Sequence, residues 1–313
     1  TGKEAKVKNA LREKFIKGIV EKGMKKTTGE RMWDTFEYFS GYGFSKNHAI
    51  PYSIISYQCA WLQTYYQDEW ISSFLDHEPD KRKEAAINIA RSFGYEVAPL
   101  DINTSGTAWE VRDGKLIPPL TTIKGLGAAA IDEILLKRPF SSPEELLFDK
   151  GVIARKVNKK SLDALCRAGA MESLMDDRFF GDSHFWNAVV VDKPKNKKKL
   201  GENIEKYREE GSFSKGERIN HLQALTGIYP INMVVPVKAY SFFEMQGIKP
   251  ISEYDAELGK AWCVSTEVIT RKTKTGKPYY QVIVIDSNMK TQKINCWGVD
   301  PDRDFIYPHR LYV

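Results

Sequence analysis

The sequence predicts an α+β, multidomain chain, with helices first and strands last. Three observations predict it. Residues 4–40 and 52–75 carry apolar side chains at near-helical spacing. The segment TAWEVRDGKLIPP (107–119) reads as one two-stranded hairpin inside a mainly helical middle. From Ala261 onward the pattern alternates with a period of two between short turns. A length of 313 residues is enough for two or three domains, each with its own core.

In chain order, Val7, Leu11, Phe15 and Ile19 mark a first helix, and Gly23 with the Thr27-Thr28-Gly29 cluster separates it from a second through Met32, Phe36 and Phe39. The next stretch, GYGFSKNHAIPY (41–52), predicts a tight turn at Gly41 and Gly43, with a helix beginning near Pro51. Lys46 and His48 fall in that turn. They either hold a phosphate at a helix N-terminus or lie on the surface beside a buried aromatic pair. Ile55, Cys59, Leu62 and Tyr66 form an apolar stripe, so residues 52–75 read as a buried helix supporting the turn. A short helix around Glu84 to Phe93, the loop APLDINTS (98–105) and the hairpin with its Asp113-Gly114 turn follow. Helical sequence returns at Ala128–Lys137, Pro143–Asp149 and Lys159–Ala168. Residues 176–220 lose periodicity, and their basic run DKPKNKKK (192–199) reads as a solvated linker or loop. AWCVSTEVIT, YYQVIVIDS and TQKINCWG then give three complete strands, and HRLYV the start of a fourth. An OB-fold needs five, so a truncated OB barrel is expected.

Composition removes several classes. No apolar run reaches the roughly 18 residues of a membrane span, and TGKEAKVKNALREK is too charged for a signal peptide, so a soluble, cytoplasmic protein without a membrane partner is expected. Cys59, Cys166, Cys263 and Cys296 are far apart and form no zinc spacing. Asp300, Asp302 and Asp304 alternate like a calcium loop, but Phe305 and Leu311 occupy its glycine and glutamate positions. Neither a Walker lysine nor a nucleophile arrangement is present, and spacing alone gives no catalytic and no metal site. The net charge of +6 permits a polyanionic partner.

Two clusters give that partner chemical form. Ile123-Lys124-Gly125-Leu126-Gly127 before helical AAAIDEIL has the helix-hairpin-helix pattern, in which small residues let backbone N–H groups reach a phosphate; an ordinary glycine-rich turn is the other reading. RKVNKKSLDALCRAGAME (155–172) then places Arg155, Lys156, Lys159 and Lys160 at a second helix entry. In the strand region Arg271, Lys272, Lys274 and Lys277 crowd one loop near Tyr279, Tyr280 and Trp297. Cations beside rings are the composition of single-strand binding, and one or two of the three rings are expected to face a ligand.

Taken together, these segments resemble the alpha subunit of bacterial DNA polymerase III, the replicative C-family of DNA polymerases. GYGFSKNHAIPYSIISYQCAWLQTYY is similar to that family's GYGFNKSHAxxYxxxSYQTAWLKxxYP in the fingers, and VAPLDINTS to its LPPDINxS. IKGLG is similar to IKGVG, NKKSLDALCRAGAME to NRRxLExLxxSGAFD, LTGIYPIN to LTGHPI, and TRKTKTGKPYYQVIVIDS to the start of its OB-fold. The six matches keep one order along nearly the whole chain. Ser45 and Asn47 depart from the pattern, standing where the family has Asn and Ser, and Ile50-Pro51 replaces small residues.

The resemblance implies the end of the fingers at 1–78, a tandem helix-hairpin-helix domain at 79–175, a linker with connecting helices at 176–254 and an OB domain at 255–313. It implies a nucleotidyl transfer aligned by Mg2+ ions that palm aspartates upstream of Thr1 would hold, leaving this segment without catalytic carboxylates and inactive alone. It implies primer-template DNA, single-stranded template and dNTP as partners, with Lys46 and His48 facing the nucleotide or the DNA backbone. The duplex contacts fall to Lys124, Gly125, Gly127, Lys159 and Lys160. The family's sliding-clamp segment has no match here, and bacterial or viral origin stays open. A freestanding, non-enzymatic DNA-binding protein built from the same two modules is the alternative.

Overall fold

A helical repeat of apolar residues buries itself against a second such face, and the first two helices do this only in part: Ile16 is buried, while Val7, Leu11 and Phe36 stay exposed. The computed structural model describes residues 2–40, 46–79, 82–255, 259–299 and 303–313. They form two units, residues 1–67 and 68–313. In the first, α1 (Gly2–Glu21) and α2 (Lys26–Ser40) run antiparallel, with Phe15 against Trp33 and Phe36 at 5.6 and 5.5 Å and Lys8 paired to Glu37 at 2.6 Å. Gly23 turns the chain between them at φ +82°.

Helix α3 (Lys46–Tyr65) corrects two expectations. It begins five residues before Pro51, which lies inside it, so Lys46 and His48 are on its first turns rather than in a loop. Proline removes one donor, but its φ is helical and the helix runs through it. The helix is also not buried: Tyr52, Tyr57, Trp61 and Tyr65 are exposed. Apolar residues at 50, 52, 54, 55, 57, 61 and 65 surround the axis instead of forming one stripe, so no single neighbouring face covers them. The turn expected at Gly41 and Gly43 lies outside the described residues. The single helix expected over 52–75 is two, α3 and α4 (Gln67–His77).

In the second unit α4 and α5 (Lys83–Ser92) bury Ile71, Leu75, Ile87 and Ala90 with Trp109 and, from a small sheet, Leu116. That sheet orders β1 (Glu96–Val97), β3 (Lys115–Ile117) and β2 (Glu110–Arg112), and β2–β3 is the expected hairpin. The DINTS loop is a clasp. Asp101 Oδ1 accepts from the backbones of Asn103 and Thr104 at 2.8 and 3.0 Å, and Asn103 exchanges two hydrogen bonds with the backbone of Phe140.

The main core lies under α6 (Ala128–Lys137), a π-helical turn at Glu145–Asp149, α7 (Lys159–Arg167), α8 (Asp182–Trp186) and α9 (Lys197–Lys206). Helix α7 turns Leu162, Leu165 and Cys166 inward and Lys159 and Lys160 outward. Truncating either leucine to alanine costs about 2–5 kcal/mol. The basic run at 192–199, expected as linker or loop, is loop only as far as Asn196. Asn196 caps α9 by accepting from the Lys199 N–H at 2.8 Å, and Leu200 and Ile204 enter the core four residues apart. Two buried apolar residues were too few to give the segment a visible period.

Helix α10 (Lys215–Thr226) opens with a capping box between Ser214 and Glu217 and closes at Gly227 in the left-handed region. It leads through α11 (Val237–Met245) to a curled, five-stranded half-barrel consistent with an OB-like fold. The strands are β4 (Lys249–Pro250), β5 (Ala261–Lys272), β6 (Pro278–Ile285), β7 (Gln292–Cys296) and β8 (Arg310–Tyr312). β5, β6 and β7 form an antiparallel meander, and β4 and β8 both pair with the start of β5. A bulge between Ser265 and Glu267 bends β5. Val264 and Ile285 face α10 and α11, while Tyr280, Val282 and Val284 fill the interior. Among the described residues no helix is long and apolar enough to cross a membrane.

Candidate nucleic-acid interface

Two helix starts meet on one open cleft. Gly127 is the N-cap of α6 and no side chain among the described residues caps it, which leaves the first amides of the helix facing outward. Asn158 is the N-cap of α7 and accepts from the Ser161 N–H at 3.1 Å. Gly125, Gly127, Arg155, Asn158 and Lys160 line the cleft between them. Gly125 has φ +88°, which L side chains rarely adopt, and a Cβ there would stand 3.5 Å from Lys160 Cε. The hairpin glycine and the second helix entry therefore touch.

Glu133 fixes the angle between the two starts. It is buried on α6 and accepts from the Ile153 N–H at 3.1 Å and from Lys156 Nζ at 2.8 Å. These bonds, Lys156 first, hold its carboxyl below the ordinary range.

The cations expected here divide. Lys160 and Arg155 are exposed on the cleft. Lys124 does not line it. Its Nζ would be 3.0 Å from a Cβ on Gly227, and its backbone N–H donates to Leu225 O at 2.7 Å, so it closes the end of α10. Lys159 reaches across to Val191 O at 2.7 Å. Asn158 was not expected, although an Asn three residues before Ser161 at the start of a helix is a legible cap signal.

The second cluster occupies the turn between β5 and β6. Thr273 organises it, accepting at its carbonyl from Gly276 N–H (3.0 Å), at its Oγ1 from Lys277 N–H (3.0 Å), and donating its own N–H to Lys277 O (2.9 Å). Arg271, Lys272, Lys274 and Lys277 are all exposed, with no ion-pair partner among the described residues. Tyr279 lies across from Arg271 in the β5–β6 register and stacks on Trp297 at 4.2 Å between centroids. Trp297 is 61% exposed, whereas Tyr280 turns inward and is 7% exposed. Strand alternation thus puts two of the three rings and one cation on the outer face.

On α3 the His48 ring is exposed and packs on Tyr52 at 4.4 Å, and the Lys46 side chain lies outside what is described. Among the described residues no group of three or more His, Cys, Asp or Glu side chains is placed to hold a metal ion.

The helix-hairpin-helix motif family matches residues 94–179, which contain both helix starts. DNA polymerase III subunit alpha of Thermus aquaticus is 35% identical over 170 residues, 53% of this chain and 14% of that protein. The same subunit of Borreliella burgdorferi is 33% identical over 204 residues, 62% of this chain and 17% of its own length. That of Thermotoga maritima is 27% identical over 312 residues, 97% of this chain and 36% of that protein. The chain is homologous to a region of DNA polymerase III alpha subunits. It spans little more than a third of these relatives at most. The homology runs through the α6–α7 cleft and, in the Thermotoga protein, along nearly all of the chain.

Proposed function

We propose that the chain is the DNA-holding part of a replicative DNA-directed DNA polymerase. One observation carries the reading: two helix starts, a left-handed glycine and two exposed cations converge on a single open cleft. The outward amides of α6 donate to phosphate oxygens of the primer-template duplex, the helix dipole favours the negative charge, and Lys160 and Arg155 add point charges. Such contacts read the backbone, giving affinity with little sequence preference.

Single-stranded template passes over the β5–β6 turn, where Arg271, Lys272, Lys274 and Lys277 follow phosphates and the Tyr279–Trp297 pair stacks on a base. His48 and Lys46 face the incoming dNTP or the DNA backbone from the fingers segment, residues 1–78. The helix-hairpin-helix domain is residues 79–175 and the OB domain 255–313. Bond formation uses Mg2+ held by carboxylates of a palm outside this segment, which alone is inactive; the whole enzyme works in the cytoplasm.

Photo-crosslinking tests the assignment. A benzoylphenylalanine at Ala129 is expected to label the duplex part of a primer-template, and one at Lys274 the single-stranded template. Labelling at neither position, or with the two DNA regions exchanged, overturns it.

A further inference from the structure

A separate cavity of about 350 Å3 sits among α5, the β1 strand, the end of α7 and α10, and shares no lining residue with the DNA cleft. That volume falls in the range of small-molecule sites, roughly 300–1,000 Å3. Its walls are largely apolar, with Val97, Trp109, Leu222, Ile228 and Met233 among them.

The charged groups on the wall are not equivalent. Arg167 is tied to Asp163, and Arg218 stands 2.8 Å from Asp182. Arg91 has Asn88 Oδ1 as its hydrogen-bond partner at 3.0 Å and no carboxylate at ion-pair distance among the described residues. Burial lowers its pKa, with Tyr240 and Glu84 as its electrostatic neighbours. A half-buried guanidinium with donors to spare is costly unless an anion joins it. Glu172 is the remaining acid, and desolvation raises its carboxyl above the ordinary value. His221, also on the wall, keeps Nδ1 shielded from water without a hydrogen-bond partner among the described residues.

We propose that this cavity binds a small organic anion with an apolar body, its charged group on Arg91 and its body against Trp109. Such a ligand completes the guanidinium and covers the apolar wall together. The site goes beyond DNA holding.

The probe is 1-anilinonaphthalene-8-sulfonate with the full chain, followed by fluorescence and by the Trp109 indole N–H resonance. The expected result is a saturable site that shifts the Trp109 signal. Arg91→Gln should weaken it about tenfold or more, as expected for losing a hydrogen bond to a charged group. Arg91→Lys, which keeps the charge, should retain most of the affinity, and Leu222→Trp, which fills the cavity, should abolish the shift. The uncharged N-phenyl-1-naphthylamine should bind wild type and Arg91→Gln alike. A Trp109 signal unmoved at saturating probe, or wild-type affinity in Arg91→Gln with its circular dichroism unchanged, overturns the proposal. Duplex affinity is measured in parallel and is expected to be unaffected by Arg91→Gln.

Discussion

The α6–α7 cleft and the β5–β6 turn are both rich in cations and hold them in opposite ways. Around the cleft, Lys156 is bound to Glu133, Lys159 to a carbonyl, and Lys124 lies against the end of α10, leaving backbone amides with Lys160 and Arg155 to meet a ligand. At the turn, four cations stand in water with no ion-pair partner among the described residues. The cleft is preorganised and short-ranged; the turn is long-ranged and adjustable. A polyanion should therefore depend on the turn for salt-sensitive attraction and on the cleft for register.

The largest effect expected from this contrast is on salt dependence. Replacing Arg271, Lys272, Lys274 and Lys277 together by alanine should lower the log–log salt slope of single-strand binding by about 3, at about 0.7 per lost phosphate contact. Replacing Lys159 by alanine at the cleft should leave the duplex slope nearly unchanged, since its charge is already engaged at Val191. Equal changes at the two places, measured by anisotropy titrations across salt concentrations, would break the contrast.

Next in size is the stacked pair. Trp297→Ala should cost about 1–3 kcal/mol in single-strand affinity with the salt slope intact, because a ring contributes stacking and no charge. Tyr280→Leu, on the inner face, should leave DNA affinity unchanged and lower thermal stability instead. An affinity loss in the second variant alone would mean that the inner face meets the DNA.

Backbone conformation ranks third. Gly125→Ala meets only Lys160 Cε at ordinary contact distance, so its cost is the φ of +88°, about 1 kcal/mol or somewhat more. Gly127 has an ordinary extended backbone and open space around its Cβ position, so Gly127→Ala loses only the N-cap preference for glycine over alanine, about 0.5 kcal/mol. Thermal melts of the two variants sharpen the distinction between the glycine the hairpin needs for its shape and the one whose smallness only keeps the cleft open.

These differences mark where sequence reading succeeds. Periodicity located α6 and α7, the β2–β3 hairpin and the strands β5 to β7, because each has one face in a core and one in water; it also located α1 and α2, whose apolar residues pair with each other but stay mostly exposed. It misjudged α3, whose rings encircle the axis, and α9, whose core contribution is spaced too sparsely to stand out from Lys197 to Lys199. β4 is two residues long and gives no alternation at all. At the site, the glycines and Lys160 were legible as a motif. That Lys124 and Lys159 are engaged elsewhere was not, since their partners Gly227 and Val191 are distant in sequence and meet them only through the packing of α10 and the segment after α8.

The smallest effect tests why the cleft is rigid. Folding lowers the Glu133 carboxyl from its ordinary value of 4.5, chiefly through Lys156 and then through the Ile153 N–H. A carboxyl lowered on folding adds stability above its unfolded value and loses it as pH falls through the folded value. Glu133→Gln keeps one acceptor oxygen, enough for the Ile153 N–H, and replaces the oxygen that meets Lys156 by an amide donor while removing the charge. Urea unfolding should therefore show wild type ahead of the variant at neutral pH and the two converging as pH drops below about 4.5. The variant also releases Lys156, and its duplex salt slope should rise by up to about 0.9, the value of one added phosphate contact. If the two stability curves stay parallel to about pH 3, the tie contributes nothing through its charge, and the angle between α6 and α7 is set by packing of their buried faces alone.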